Sequence, residues 1–260
     1  MTINVDNLNI NYYDSLNNKD IILFLHGWGS NYKIFEFLFP YLENKYRIIA
    51  LDLPGFGESS EPKTSFSSDD YCKFCIKFLD KIVDDKNANI ILVGHSNGGR
   101  IALKLNLYKD LNYKILKNIL IDSAGIRSKL SFKSKFKIRL YKFLKKLYNI
   151  KFIKVIYPNL ESDLKNKFGS SDYNNASPIM KETLVKLVNE DLTDSIKNIK
   201  IPTLLIWGDK DTATPIEHAK IMNEKISNSG LVIYEGSSHF SFIENKNKTV
   251  LIFKSFLDIK

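Results

Sequence analysis

The stretch ILVGHSNGGRIAL, residues 91–103, does most to decide the fold. An apolar run stops at Gly94 and a helical pattern begins a few residues later, so Ser96 falls on a turn between a strand and a helix. Gly94 and Gly98 leave room for the backbone to turn sharply. Gly94, Ser96 and Gly98 together form G-x-S-x-G, a motif that exposes a serine hydroxyl at the apex of such a turn. Taken alone, the pentapeptide fits a plain glycine-rich connection equally well.

Apolar runs with β-branched residues recur along the chain, separated by amphipathic stretches. Continuous runs of this kind indicate strands covered on both faces, as in a parallel sheet. Their alternation with helices predicts an α/β fold with a mostly parallel central sheet and helices on both faces. The more alternating start, residues 3–14, predicts a hairpin that adds edge strands. The runs span residues 21–27, 46–52, 89–95, 116–125, 202–211 and 230–236.

One region breaks this alternation. Residues 128–196 contain no convincing strand and two helical patterns, FKIRLYKFLKKLYNI and SPIMKETLVKLVNEDL. The sequence therefore predicts a core of residues 1–127 and 197–260, with an all-helical cap, residues 128–196, inserted over one end of the sheet.

The positive charge is concentrated in this insertion. The net charge is +9, and residues 127–154 alone hold eleven Lys or Arg and no acid. Because the rest of the chain is close to neutral, we expect no nucleic-acid partner. The simplest interpretation is that the lysines keep the cap solvated; the alternative is contact with an anionic membrane surface or an acyl carrier. The expected apolar face of the cap helix carries Phe136, Leu140, Leu144 and Leu147, and the solvated face Lys135, Lys142, Lys145 and Lys146.

Other features predict a cytoplasmic protein without cofactor or metal. The first residues lack a basic segment followed by an apolar one, so we expect no signal peptide. No apolar run approaches the length of a membrane span. Cys72 and Cys75, the only cysteines, lie in a helical pattern that predicts buried small side chains. No His/Cys/Asp/Glu cluster has zinc spacing, and GHSNGGR lacks the pattern of a phosphate-binding loop.

A serine needs a base to become a nucleophile, and the chain has four histidines. His239 follows the last predicted strand on a loop of small residues, which makes it the best candidate. His95 adjoins Ser96 on the turn, where its side chain cannot easily point the same way. The simpler interpretation of His26 and His218 is a packed or surface histidine.

The base needs an orienting carboxylate, and a developing oxyanion needs N–H donors. Asp211 has the best position after the strand PTLLIWG; Asp209 is expected to be a solvated loop residue, and Asp122 is a reserve candidate at another strand end. The expected donors are the backbone N–H groups of Trp28, in HGWG, and Asn97. Gly27 and Gly29 let the HGWG backbone approach a ligand.

At these residues the chain resembles the α/β-hydrolase fold family. The segments FLHGWGS, LDLPGFGESSEP, LVGHSNGGR, PTLLIWGDKDTATP and GSSHFSFIE match family landmarks in family order. The resemblance implies Ser96 as nucleophile, His239 as base, Asp211 as orienting acid and the insertion as a lid. HGWG and DLPGFGES are similar to the carboxylesterase branch and to the meta-cleavage-product C–C hydrolases.

The expected function is therefore that of a serine hydrolase. It would cleave a small or medium carboxylic ester, its small-molecule substrate, through an acyl-enzyme on Ser96. Two alternatives remain open: a C–C bond hydrolase of the meta-cleavage-product type, and a non-catalytic member of the fold that holds a ligand in the same pocket.

Overall fold

The computed structural model describes residues 1–17, 19–109, 111–127 and 170–260. Within them, every apolar run named above contains a strand, and the strands form one eight-stranded sheet. The strands are β1 (Thr2–Val5), β2 (Leu8–Asp14), β3 (Ile21–Leu25), β4 (Arg47–Leu51), β5 (Asn89–His95), β6 (Lys114–Ile121), β7 (Thr203–Gly208) and β8 (Ser229–Tyr234).

The strand order, β1-β2-β4-β3-β5-β6-β7-β8, places the predicted hairpin at one edge. β1 pairs antiparallel with β2, and β2 pairs antiparallel with β4. All pairings from β4 through β8 are parallel. In the sheet, β4 lies on one side of β3 and the next strand in the chain, β5, lies on the other. Such a switch in direction opens a crevice at the carboxyl ends of the strands, where open α/β sheets bind ligands.

Helices cover both faces of the sheet, as the sequence predicts. Alternate residues of β3 point to opposite faces, so that Leu23 joins one hydrophobic cluster and Phe24 the other. The helices are α1 (Phe39–Leu42), α2 (Ser68–Ile82), α3 (Asn97–Leu107), α4 (Ser171–Asn175), α5 (Pro178–Asn189), α6 (Ile216–Lys225), α7 (Ser241–Glu244) and α8 (Lys246–Phe256), with short 3₁₀ turns at Tyr32–Leu38 and Ile196–Asn198.

Local sequence explains where α2 begins and what it buries. Ser67 accepts a hydrogen bond from the Asp70 N–H, and the Asp70 carboxylate accepts one from the Ser67 N–H, which satisfies two donors at the helix start. Cys72 and Cys75 are free thiols buried in one of the two hydrophobic clusters. Burial raises the pKa of Cys75 to about 12, so this thiol stays protonated and unreactive. The predicted interpretation of the C-x-x-C pair as packed side chains is confirmed.

Of the predicted cap, the structure describes its C-terminal part. The pattern SPIMKETLVKLVNEDL forms α5, with Ser177 capping its first turn and Met180 buried below it. The basic pattern with Phe136 and Lys142 lies outside the described residues, so its two faces stay a prediction, as does the domain division at residues 127 and 197. In the described ranges, no helix combines the length and apolar character needed to cross a membrane.

Candidate active site

Ser96 lies at the sharp turn between β5 and α3. Its backbone has φ 52° and ψ −116°, an unfavourable conformation for a residue with a side chain, and Ser96 is held there by its neighbours. A Cβ atom on Gly98 would lie 1.9 Å from the carbonyl oxygen of Leu25, and one on Gly94 would lie 2.5 Å from the carbonyl oxygen of Gly98. Both glycines are therefore required for the close approach of α3 to the sheet.

Ser96 is hydrogen-bonded to His239, and His239 to Asp211. The Ser96 Oγ lies 2.9 Å from the His239 Nε2, and the His239 Nδ1 lies 2.7 Å from the Asp211 Oδ2. Because a carboxylate only accepts, Nδ1 carries the hydrogen and the Nε2 of the neutral ring is left to accept from the serine hydroxyl. Residues from three separate strand ends thus form one chain of hydrogen bonds.

Asp211 is fixed by its own loop as well as by His239. Its Oδ1 accepts from the N–H groups of Ala213 and Thr214 at 2.8 and 3.0 Å, and its Oδ2 accepts from the Thr214 hydroxyl at 2.6 Å. Burial alone would raise the pKa of Asp211, but the hydrogen bonds from His239 and Thr214 outweigh it and lower the pKa below its usual value. The carboxylate therefore stays charged while it orients the imidazole.

The other two candidate carboxylates bind elsewhere. Asp209 accepts a hydrogen bond from the Gly236 N–H at 2.7 Å, which connects it to the loop after β8. Asp122, at the end of β6, accepts from the Gly208 N–H at 2.9 Å and from the Ser241 hydroxyl at 2.6 Å. Asp122 therefore connects the end of β6 to two other segments behind the site. The carboxylate that is hydrogen-bonded to the imidazole is that of Asp211, not that of Asp209 or Asp122.

His95 supports the loop that carries His239, a contact that sequence reasoning missed. Its Nε2 donates to the carbonyl oxygen of His239 at 2.8 Å. Burial, and then the neighbouring His239, lower the pKa of His95 to about 3, so the ring remains neutral. The sequence did indicate that His95 points away from the Ser96 hydroxyl, but nothing in it named the partner.

His26 and His218 are both buried, as their simpler interpretation expected. His26 donates from Nδ1 to the Gly27 carbonyl oxygen and accepts from the Leu53 N–H at Nε2, with distances of 2.7 and 2.9 Å. Burial lowers the pKa of His26 to about 4. His26 therefore joins two loops as a neutral ring, whereas His218 lines the cavity described next.

A cavity of about 760 Å³ opens over Ser96 and His239. Trp28 and Asn97, the expected sources of oxyanion donors, line the same cavity. Asn97 is the first residue of α3, so its N–H has no acceptor within that helix. Gly29 adopts a φ of 68°, a conformation that favours glycine, and Gly27 packs directly against His95 and Ser96. An adjoining cavity of about 560 Å³ shares Trp28 and Gly29 with the first.

Comparison with known proteins agrees with this fold. The family model described as "alpha/beta hydrolase fold" matches residues 20–246, and the chain belongs to this family. A relative from Bacillus subtilis, "AB hydrolase superfamily protein YisY", is 31% identical over 251 residues, which cover 87% of each chain.

Two further matches carry the names of esterases. The "Pimeloyl-[acyl-carrier protein] methyl ester esterase" of Legionella pneumophila (strain Paris) is 28% identical, with 91% of this chain and 94% of the relative covered. The solved structure "Esterase (EaEST) from Exiguobacterium antarcticum" superposes with a TM-score of 0.72 at 25% identity, covering 98% of this chain and 97% of the other. The family and these names together show a hydrolase.

Proposed function

We propose that this chain is a serine hydrolase that cleaves a small or medium carboxylic ester. Ser96 would be the nucleophile, His239 the general base and Asp211 the carboxylate that orients the imidazole. One observation carries the proposal: the continuous hydrogen-bond chain from the Ser96 hydroxyl through His239 to Asp211, at 2.9 and 2.7 Å. Such a chain makes a serine nucleophilic and serves no evident purpose in folding.

In the first half of the reaction, the Ser96 Oγ attacks the ester carbonyl carbon while the His239 Nε2 takes the hydroxyl proton. The carbonyl oxygen becomes an oxyanion, which the N–H groups of Trp28 and Asn97 would stabilise. His239 then returns the proton to the departing alkoxide, so that the alcohol leaves and the acyl group stays on Ser96.

In the second half, a water molecule replaces the alcohol. His239 takes a proton from the water as its oxygen attacks the acyl carbon, and then gives that proton to the Ser96 oxygen as the carboxylic acid departs. Throughout, the Asp211 carboxylate stabilises the imidazolium without itself taking a proton. The cavity of about 760 Å³ is large enough to hold a small or medium ester.

The test measures turnover of p-nitrophenyl acetate and butyrate, together with covalent labelling by a fluorophosphonate. The proposal expects both, with the label on Ser96. A non-catalytic ligand-binding member would turn over neither ester. A C–C hydrolase of the meta-cleavage-product type, given a vinylogous diketone alongside the two nitrophenyl esters, would turn over the diketone faster than either ester. Either of those results would replace the ester proposal.

A further inference from the structure

A buried arginine lies one helical turn beyond Ser96. Ser96 is the residue before α3, and Arg100 is the fourth residue of that helix. Helical side chains lean toward the N-terminus of their helix, and Ser96 lies at that end of α3. Arg100 lines the same cavity as Ser96, although only 5% of its surface is exposed.

The positive charge of Arg100 is only partly neutralised. Its Nη1 donates to the backbone oxygen of Glu190 at 3.1 Å, but the Glu190 carboxylate is 3.7 Å away, beyond hydrogen-bond distance. The other oxygen of that carboxylate lies 3.1 Å from the Lys104 Nζ, which also lies 2.7 Å from Asp69, so that Arg100 shares Glu190 with a second cation. Within the described ranges, the buried Nε of Arg100 has no hydrogen-bond partner. Burial lowers the pKa of Arg100 despite the attraction of Glu190 and Asp191, which agrees with incomplete compensation.

A second cation extends this positive end of the cavity. Arg127 lines it as well; its guanidinium donates to the neutral amide oxygen of Asn189 at 3.3 Å, and the Asp191 carboxylate accepts from its backbone N–H at 3.4 Å. The acidic lining residue Asp172 lies at the junction with the adjoining cavity, where Glu61 is a further acid. The binding site is therefore polarised, with its cationic end beside Arg100 and its acidic end beyond Trp28.

We propose that the cavity selects esters whose acyl chain ends in a carboxylate, that is, half-esters of short dicarboxylic acids, and that Arg100 is the residue that determines this choice. The inference rests on the proposed function, because it names the substrate class of the same site. A guanidinium binds a carboxylate through two parallel hydrogen bonds, and exclusion of water strengthens the attraction. Arg100 lies about one helical turn, or about 5.4 Å of rise, along α3 from its N-terminal end, which favours short acyl chains.

The experiment compares kcat/KM for the monomethyl esters of succinic, glutaric and adipic acids with kcat/KM for the corresponding dimethyl esters, which are neutral. The wild type is expected to prefer at least one half-ester. Arg100→Gln should lower that preference about ten- to a hundredfold, the range for hydrogen bonds to charged groups, while Arg100→Lys restores part of it. Lys77→Gln is the control, because it removes one positive charge that pairs with Asp6 and neither lines the cavity nor contacts Glu190. It should leave the preference within about threefold.

A binding measurement separates this inference from the proposed function. Calorimetry on the Ser96→Ala protein should show tighter binding of monomethyl adipate than of dimethyl adipate, and addition of Arg100→Gln should remove the difference. If the wild type hydrolyses neutral esters but neither assay favours the anionic one, the inference is wrong and the hydrolase proposal stands. If binding favours the half-ester but no ester is cleaved, the carboxylate site stands and the hydrolase proposal fails. Loss of folding in Arg100→Gln leaves the two wild-type comparisons to decide.

Discussion

At the level of single residues, the orientation of His239 depends on Asp211. Four hydrogen bonds hold the Asp211 carboxylate: two from backbone N–H groups, one from Thr214 and one from His239. The imidazole therefore has one favoured tautomer, with its proton on Nδ1. An amide at position 211 could donate to Nδ1 and favour the opposite tautomer, which cannot take the Ser96 proton.

We expect Asp211→Asn to lower kcat for p-nitrophenyl butyrate by about 10⁴-fold with little change in fold. Asp209→Asn is the matched control, since it lies two residues earlier on the same loop and bonds to Gly236 rather than to the imidazole. Its kcat should stay near that of the wild type. A larger loss in the Asp209 variant than in the Asp211 variant would move the orienting role to Asp209.

Asp122 should make stability depend on pH. Burial, opposed by hydrogen bonds from Ser241 and Gly208, raises the pKa of Asp122 from an ordinary value of 3.8 to about 7. Between these two values the folded protein retains a proton that the unfolded chain has lost. The contribution of Asp122 to the free energy of unfolding therefore falls as pH rises from about 4 to about 7, and is level above that.

Urea unfolding of the wild type and of Asp122→Asn at pH 4.5, 6 and 7.5 tests this linkage. The asparagine has no proton to lose, so the free energy of unfolding of the wild type minus that of the variant should decrease steadily across the series. A difference that is constant with pH, or that increases, would show that the native pKa of Asp122 is not raised.

At the level of elements, the position of Ser96 depends on how closely α3 approaches β3. That contact leaves no space for a side chain at Gly98, where a Cβ would meet the Leu25 carbonyl oxygen at 1.9 Å. We expect Gly98→Ala to lower the free energy of unfolding by about 1–3 kcal/mol and to displace the serine. In contrast, a Cβ on Gly230 in β8 would meet no atom within 4 Å.

Chemical denaturation of Gly98→Ala and Gly230→Ala, with kcat for p-nitrophenyl acetate, compares the two positions. Gly230→Ala should stay within about 0.5 kcal/mol of the wild type and keep its activity. Equal stability and activity in both variants would contradict the packing described for the turn.

The elements themselves could be predicted because their signals are local. Each parallel strand is a short apolar run, and α2 begins with a Ser67–Asp70 capping pattern that can be recognised in the sequence. The contact between His95 and His239 could not be predicted, because it joins residues 144 apart through a backbone oxygen. The bond from the Ala213 N–H to Asp211 was missed too, although Asp side chains commonly accept from the backbone two residues further on.

For the whole molecule, the parallel sheet brings distant segments to one edge. Trp28, Ser96, Asp211 and His239 follow different strands, and all of these strands end on the same side. Sequence order and residue type were enough to name these four residues as candidates, with Trp28 named for its backbone N–H. The polarity of the cavity was not predictable, because Arg100 resembles an ordinary helix residue until α5 and its C-terminal Glu190 are placed against it.

The most direct test of the central claim is Ser96→Ala, measured for ester hydrolysis and for fluorophosphonate labelling under the conditions of the wild type. We expect kcat/KM to fall at least about 10³-fold and labelling to disappear, because only ester binding and the oxyanion donors would remain. Thermal unfolding of both proteins would show that the variant is folded. A Ser96→Ala protein that keeps most of its activity and still takes up the label would contradict the assignment of Ser96 as the nucleophile.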